Sequence, residues 1–323
     1  MYKSFKLALT AAAFAAIATA STAWAETEMR AIAFIPHKHP VMAQSHEWVK
    51  RVNAALPGKV KINYVGGPEV IKRYQQWDAV KNGVIDVVFG VFADIQDRAP
   101  AVAASWLSKC TLSQERKTGA YDMLAAELAK LNIKLVGRVQ WAPFYLWTNN
   151  DPKKLSDLKG LKMRTGSLYD KMMTKLGMVP VTMNSPAVYT ALERGVVDGF
   201  GWPNIGPRQR GWIKKAKYVI DLPFFHNSNM GALMNLDKWN KLSAGVRKTI
   251  MDVTIAYEPE MVAFYRNQAD DEWKKLNPLV KKVKFSAAEN QQYIDAAYET
   301  EWATLTKKVG AAKVAELKKV TCN

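Results

Sequence analysis

The chain has 323 residues, 49% of them hydrophobic, and 46 Lys and Arg against 29 Asp and Glu give a formal net charge of +17. That length is enough for two domains of ordinary size. The basic balance points to an acidic partner or an anionic solute, yet the lysines are scattered and often stand beside acids, as on a plain solvated surface. RNA- and DNA-binding motifs are absent, so no nucleic-acid partner is expected.

Lys3 and Lys6 begin a short basic region, an apolar run follows from Leu7 to Thr19, and Ala23-Trp24-Ala25 is a small-x-small cleavage pattern. This is the layout of a secretory signal peptide, cut after Ala25 to leave Glu26 at the new N-terminus. A membrane anchor is the rival, but the run is short for a span. No later stretch is apolar enough to cross a bilayer. About 298 residues would remain, with a net charge of +15 once Lys3 and Lys6 are gone.

"HEWVKRVNAAL" places Trp48, Val49, Val52 and Leu56 on one helical face, and Pro57-Gly58 stops it. "KVKINYV" alternates, with Val60, Ile62 and Tyr64 on one side of a half-buried strand. A helix is expected from about Glu69 to Lys81, ending at Asn82-Gly83. "VIDVVFGV" reads as a short apolar strand. Further strands are expected at 133–148, 161–165, 179–183 and 196–200, with helices near 115–131, 167–176 and 186–194. The alternation predicts an α/β fold with mainly parallel strands. From Lys238 to about Leu276 the pattern is helical with Pro259 inside, as one kinked helix or two successive ones. A last helical stretch covers about 286–318. There is no repeat and no linker-like composition break, as expected for two lobes between which the chain crosses more than once.

Catalytic signatures are missing: no Walker A sequence, no GxSxG, no Gly-rich dinucleotide fingerprint. "HEWVK" departs from a zincin motif at its last residue, where Lys50 stands in place of the second histidine. The four histidines, His37, His39, His46 and His226, read as loop or cap residues rather than metal ligands. No metal and no cofactor are expected. Cys110 and Cys322 are an even pair, compatible with one disulfide in an oxidising compartment, although their spacing says nothing about proximity.

What remains is binding chemistry. "LSDLKGLKMRTGS" is a polar turn, a short apolar strand and then Arg164. A guanidinium is permanently charged and matches a carboxylate through two parallel hydrogen bonds. A strand's C-terminal end in an α/β sheet opens into the crevice where ligands sit, and a helix starting near Ser167 would aim free N–H groups there. A structural pairing with an interdomain acid is the equal alternative at this point.

"DLKGLKMR" at 157–164 and "AVYTALERGVVDG" at 187–199, in that order and separation, resemble the periplasmic solute receptors of TRAP transporters, the DctP family. "PEVIKRYQQWDAVKNGVIDVVFG" at 68–90 is similar to that family's first lobe. The resemblance covers essentially the whole mature chain. It implies a two-lobed periplasmic-binding-protein fold with the ligand cleft between the lobes and a long helix bridging both. Lobe I would be 26–147 and 229–269, lobe II 148–228 and 270–323. It also implies a monomer in the periplasm that hands a small-molecule carboxylate to the TRAP membrane permease subunits, with Arg164 as the carboxylate clamp.

The chain departs from the family pattern after "VDG". Trp202 takes the usual Asn position, as in the keto-acid and hydroxy-acid branch, and Gly201 replaces a Glu that can hold a metal there. Phe144 stands where sialic-acid receptors carry a second Arg, and Ser185 where some relatives place a Phe. The expected pocket has one anion anchor, Arg164, flat walls from Trp202 and Phe144, and a hydroxyl from Tyr169. His39 and Glu69 are further candidates from lobe I. The expected activity is binding without catalysis, for a small 2-oxo, 2-hydroxy or aromatic monocarboxylate. The alternatives are a periplasmic enzyme with Asp198 or Glu69 as base, or a binding protein serving a sensor.

Overall fold

The computed structural model describes residues 26–166, 168–226 and 230–322; the expected signal peptide lies outside them. No described helix is long and apolar enough to cross a membrane.

The first sheet is built from β1 (Thr27–Ala33), β2 (Val60–Gly66), β3 (Val87–Val91), β4 (Ile133–Arg138) and, much later in the chain, Met230–Asn235. The second contains β5 (Tyr145–Thr148), β6 (Lys162–Thr165), β7 (Val179–Thr182), β8 (Gly199–Trp202), β9 (Tyr218–Ile220), and Lys281–Val283. Numbered on, Met230–Asn235 is β10 and Lys281–Val283 is β11. The spatial orders are β2-β1-β3-β10-β4 and β11-β9-β5-β8-β6-β7. The alternation in "KVKINYV" works as periodicity demands: Val60 and Ile62 are buried while Lys61 is exposed. Gly83, at φ +70°, provides the left-handed residue that ends the helix Gln76–Lys81.

Each sheet is parallel except for one strand. β10 runs antiparallel to β3 and β4, and β5 runs antiparallel to β8 and β9. β5 is the strand with which the chain first enters the second sheet, and β10 the one with which it returns to the first. The two crossing segments are stitched together: Phe144 N–H donates to Phe225 O at 2.9 Å, and Phe224 N–H to Phe144 O at 2.9 Å. The single strand expected over 133–148 is therefore two strands in different sheets. "APF" explains the break, because Pro143 has no N–H and restricts the residue before it. Residues 145–147 belong with the second sheet rather than with lobe I.

The helix Ala244–Leu276 runs unbroken for 33 residues with Pro259 inside it. Ile250, Tyr257, Met261 and Tyr265 pack in the core against the first sheet, and Leu276 packs in the core of the second. Near Pro259 the interior is charged. Glu258 accepts from Arg116 Nε at 2.7 Å and Nη2 at 2.8 Å and from the Arg138 amide at 3.0 Å. The helices Ala287–Val309 and Ala311–Val320 do not stay with the second lobe. Lys171 meets Glu301 at 3.1 Å, whereas Val314 and Leu317 join Leu124 and Leu128 in one core cluster. A disulfide, Cys110–Cys322, fastens the tail beside the first sheet.

Candidate functional site

A cavity of about 60 Å3 lies between the two sheets. Its walls come from the C-terminal ends of parallel strands on both sides. Phe34 follows β1 and Val91 ends β3; across from them, Arg164 lies in β6, and Trp202 ends β8 with Pro203 after it. Gln140 and Phe144 come from the crossing segment, and Tyr169 from the turn after β6. The ends of several strands converge here because neighbouring parallel strands all point the same way.

Arg164 is only 2% exposed. Its Nε and Nη2 both donate to Met183 O, at 3.1 and 2.9 Å, and its Nη1 donates to the Tyr169 hydroxyl at 3.3 Å. Among the described residues no carboxylate lies within ion-pair distance of it. Burial, aided by the nearby charge of Arg73, pushes its pKa below the ordinary arginine value. Three of five N–H donors are engaged, leaving one on each terminal nitrogen, the number that a two-oxygen grip on a carboxylate requires. The guanidinium lies 5.1 Å from the Trp202 ring centroid, which supports the cation without neutralising it. Wider clefts occur elsewhere, about 850 Å3 beside Trp141 and about 380 Å3 beside Arg208. Their buried carboxylates are matched, Glu258 by Arg116 and Glu272 by Arg208.

Tyr169 joins Met183 O in holding Arg164. Its hydroxyl donates to Gly201 O while accepting from Arg164, so this hydroxyl is already occupied and the ring forms the wall. The ring lies over Gly201 so closely that a Cβ there would sit 2.4 Å from Tyr169 Cε2. Gly201 is thus required by packing, and the carboxylate that can hold a metal at this position has no room. Among the described residues no cluster of three or more His, Cys, Asp or Glu could bind a metal ion.

The model of the bacterial extracellular solute-binding proteins, family 7, matches residues 33–308. The chain belongs to this family, DctP. Among curated relatives, a monocarboxylate 2-oxoacid-binding periplasmic protein of Nostoc sp. is 25% identical over 227 residues, 67% of this chain and 62% of that relative's length. Among solved structures, an extracytoplasmic solute receptor from Bordetella pertussis binding pyroglutamic acid has a TM-score of 0.80 at 20% identity, covering 92% of this chain and 100% of that one. A TRAP transporter solute-binding protein from Bordetella bronchiseptica, with copurified calcium and picolinate, has a TM-score of 0.80 at 22% identity, covering 92% of each chain. A TRAP periplasmic solute-binding protein from Desulfovibrio salexigens with bound orotic acid has a TM-score of 0.79 at 19% identity, covering 91% and 97%. These relatives are solute receptors, not enzymes.

In this DctP-family chain the remaining sequence candidates lie outside the cavity lining. Ser185 is buried at the start of a short helical turn. Glu69 is exposed, and its Oε1 accepts from the Gly67 amide at 2.8 Å. Asp198 accepts from the Lys162 amide at 2.8 Å. Neither acid therefore stands where a base could reach a ligand beside Arg164. His39 reaches across to Arg210, whose Nε lies 3.0 Å from its Nε2, while the Val41 amide lies 3.1 Å from its Nδ1. A neutral imidazole accepts at only one nitrogen, so only one of these is a full hydrogen bond at a time. Burial, then the Arg210 charge, lowers the His39 pKa to about 4.

The helix after β6 starts at Asp170, not near Ser167, and has six residues. None of its residues lines the cavity, so its amides are not placed as anion donors there. Sequence reasoning did not place Gln140 or Phe34 in the cavity wall, and it raised Arg73 only as a cation from elsewhere that could reach in and weaken the preference for monocarboxylates. Strand-end position marks Phe34; nothing in "IKRYQQ" marks Arg73.

Proposed function

We propose that the protein is the extracytoplasmic receptor of a TRAP transporter for a small organic monocarboxylate, which it hands to the membrane permease. The observation that carries this is Arg164: a buried cation without a counter-carboxylate among the described residues, opening into a largely apolar cavity. Such a charge is costly to keep unpaired, and an anionic ligand supplies what the fold omits. Trp202 and Phe144 flank the same space and suit a flat or branched apolar tail. Pyroglutamate, orotate, picolinate and 2-oxoacids, the ligands of the relatives above, are all carboxylates and support the assignment.

The test is a thermal-shift screen of organic acids followed by calorimetry with pyruvate, 2-oxobutyrate, pyroglutamate, benzoylformate and succinate. A ligand that binds only the folded protein raises its melting temperature. At least one monocarboxylate should bind more tightly than succinate and be recovered unchanged after long incubation. Succinate binding most tightly, or turnover of the bound acid, would overturn the proposal.

A further inference from the structure

The cavity contains a second guanidinium. Arg73, in the turn before the helix Gln76–Lys81, faces the space from the first sheet's side, opposite Arg164. Its Nε donates to Asp94 Oδ2 at 2.7 Å and its Nη2 to Oδ1 at 2.8 Å, a planar two-point pair. The Asp94 side chain is 0% exposed and that of Arg73 15%. The guanidinium also lies 5.1 Å from the Phe34 ring centroid and 5.3 Å from that of Tyr74. Asp94 thus holds one edge of Arg73 and two rings fix its plane. Nη1 has no protein acceptor among the described residues, although its cation is in the cavity wall.

We propose that Arg73, held by Asp94, is the second recognition group of the cavity and reads an uncharged oxygen of the ligand. This rests on the assignment of Arg164 to the carboxylate. The charges explain the division of labour. Within the cavity lining and its direct ion-pair partner, two guanidiniums and the Asp94 carboxylate leave one net positive charge, which a monoanion cancels; Arg210, 5.9 Å from the Trp202 ring, adds a more distant cation that is the same for every acid compared. Asp94 already matches the charge of Arg73, so the donors it still offers, two on Nη1 and one on Nη2, suit a neutral keto, hydroxyl or lactam oxygen better than a second carboxylate, whose charge would find no counterpart there. The preferred solute is then a monocarboxylate with a second, neutral oxygen acceptor.

Calorimetry on two matched pairs tests this: 2-oxobutyrate against butyrate, and pyroglutamate against cyclopentanecarboxylate. In the unaltered protein the member with the extra oxygen should bind about tenfold or more tightly, roughly one well-made hydrogen bond to a charged group. The double variant Arg73→Met/Asp94→Asn removes both charges and keeps the net charge of the cavity. It should retain affinity for the oxygen-free acid while the ratio falls to about one. Arg73→Lys, which keeps the ion pair but not the fork, should lower the same ratio and serves if the double variant does not fold. Asp94→Asn alone should shift preference toward succinate by about tenfold, because the net charge rises by one. An unchanged ratio in the double variant or in Arg73→Lys, or unmoved succinate affinity in Asp94→Asn, overturns the role of Arg73 while leaving Arg164 in place. If the unaltered protein binds no member of either pair, the carboxylate assignment of Arg164 falls and this inference falls with it.

Discussion

Replacing Arg164 by Met should separate stability from binding. In the ligand-free protein two opposing terms of similar size act on Arg164. Burial of its charge costs several kcal/mol, offset by three hydrogen bonds to the neutral oxygens of Met183 and Tyr169, each worth about 1.5–3 kcal/mol for a charged donor. Methionine removes both sides of that balance. It leaves one carbonyl, Met183 O, short of a partner at about 1–3 kcal/mol. The net change in unfolding free energy should therefore stay within about 2 kcal/mol, of either sign. Affinity for the acid should instead fall by about 3–5 kcal/mol, on the order of 10²–10³-fold or more, since the ligand's carboxylate is left buried without its cation. Arg164→Lys should recover part of the loss, because one of the two parallel bonds returns. Urea titration of the ligand-free variants and calorimetry with a confirmed acid give the two numbers. Unchanged affinity in Arg164→Met would refute the assignment. A collapse in stability larger than the loss of affinity would show Arg164 to be a structural residue instead.

Acid should loosen the contact between His39 and Arg210. The folded pKa of His39, about 4, lies below the free value of 6.5, so its stabilising share is complete above pH 6.5 and is lost as pH falls toward 4, by no more than about 3 kcal/mol. Urea midpoints at pH 7 and pH 4.5 should differ less in His39→Gln than in the unaltered protein; equal slopes would remove His39 from the account. Reducing Cys110–Cys322 opens a loop of 212 residues, worth up to about 5 kcal/mol on the chain-entropy argument. Melting should drop on reduction, with hydrogen exchange rising first in Ala311–Val320, and an unaltered exchange pattern there would contradict the tie. Gly201→Ala forces the Tyr169 ring to move, costing about 1–3 kcal/mol by overpacking. It should weaken acid binding about tenfold or more without touching the ligand; normal affinity would mean that Tyr169 does not aim Arg164.

Much of the architecture was legible because it rests on local signals. Strand alternation in "KVKINYV", the Pro57-Gly58 stop and Gly83 each act through a few neighbouring residues. The place of Arg164 at a strand end in the cavity wall was legible because strand position and motif point to it together. What stayed hidden depends on contacts between distant segments. Arg73 could be named from the sequence only as one cation among several able to reach the pocket; what fixes it there, Asp94 21 residues on, shows only in the fold. His39 turns to a partner 171 residues away. Tyr169 looks like a ligand donor until Gly201 O is found at its hydroxyl. The split of 133–148 could have been read from Pro143, since a central strand does not tolerate a proline.

The stitch between the crossing segments has a mechanical consequence. Phe144 is bonded through its backbone to Phe224 and Phe225 where the chain passes from sheet to sheet, and its ring is part of the cavity wall. The same residue thus belongs to the join between the two halves and to the cavity wall. If the halves turn about that join, a molecule pressing on the ring acts on it directly, with no relay of side chains between, and a solute that fits the cation but misfits the ring would be held at a different angle.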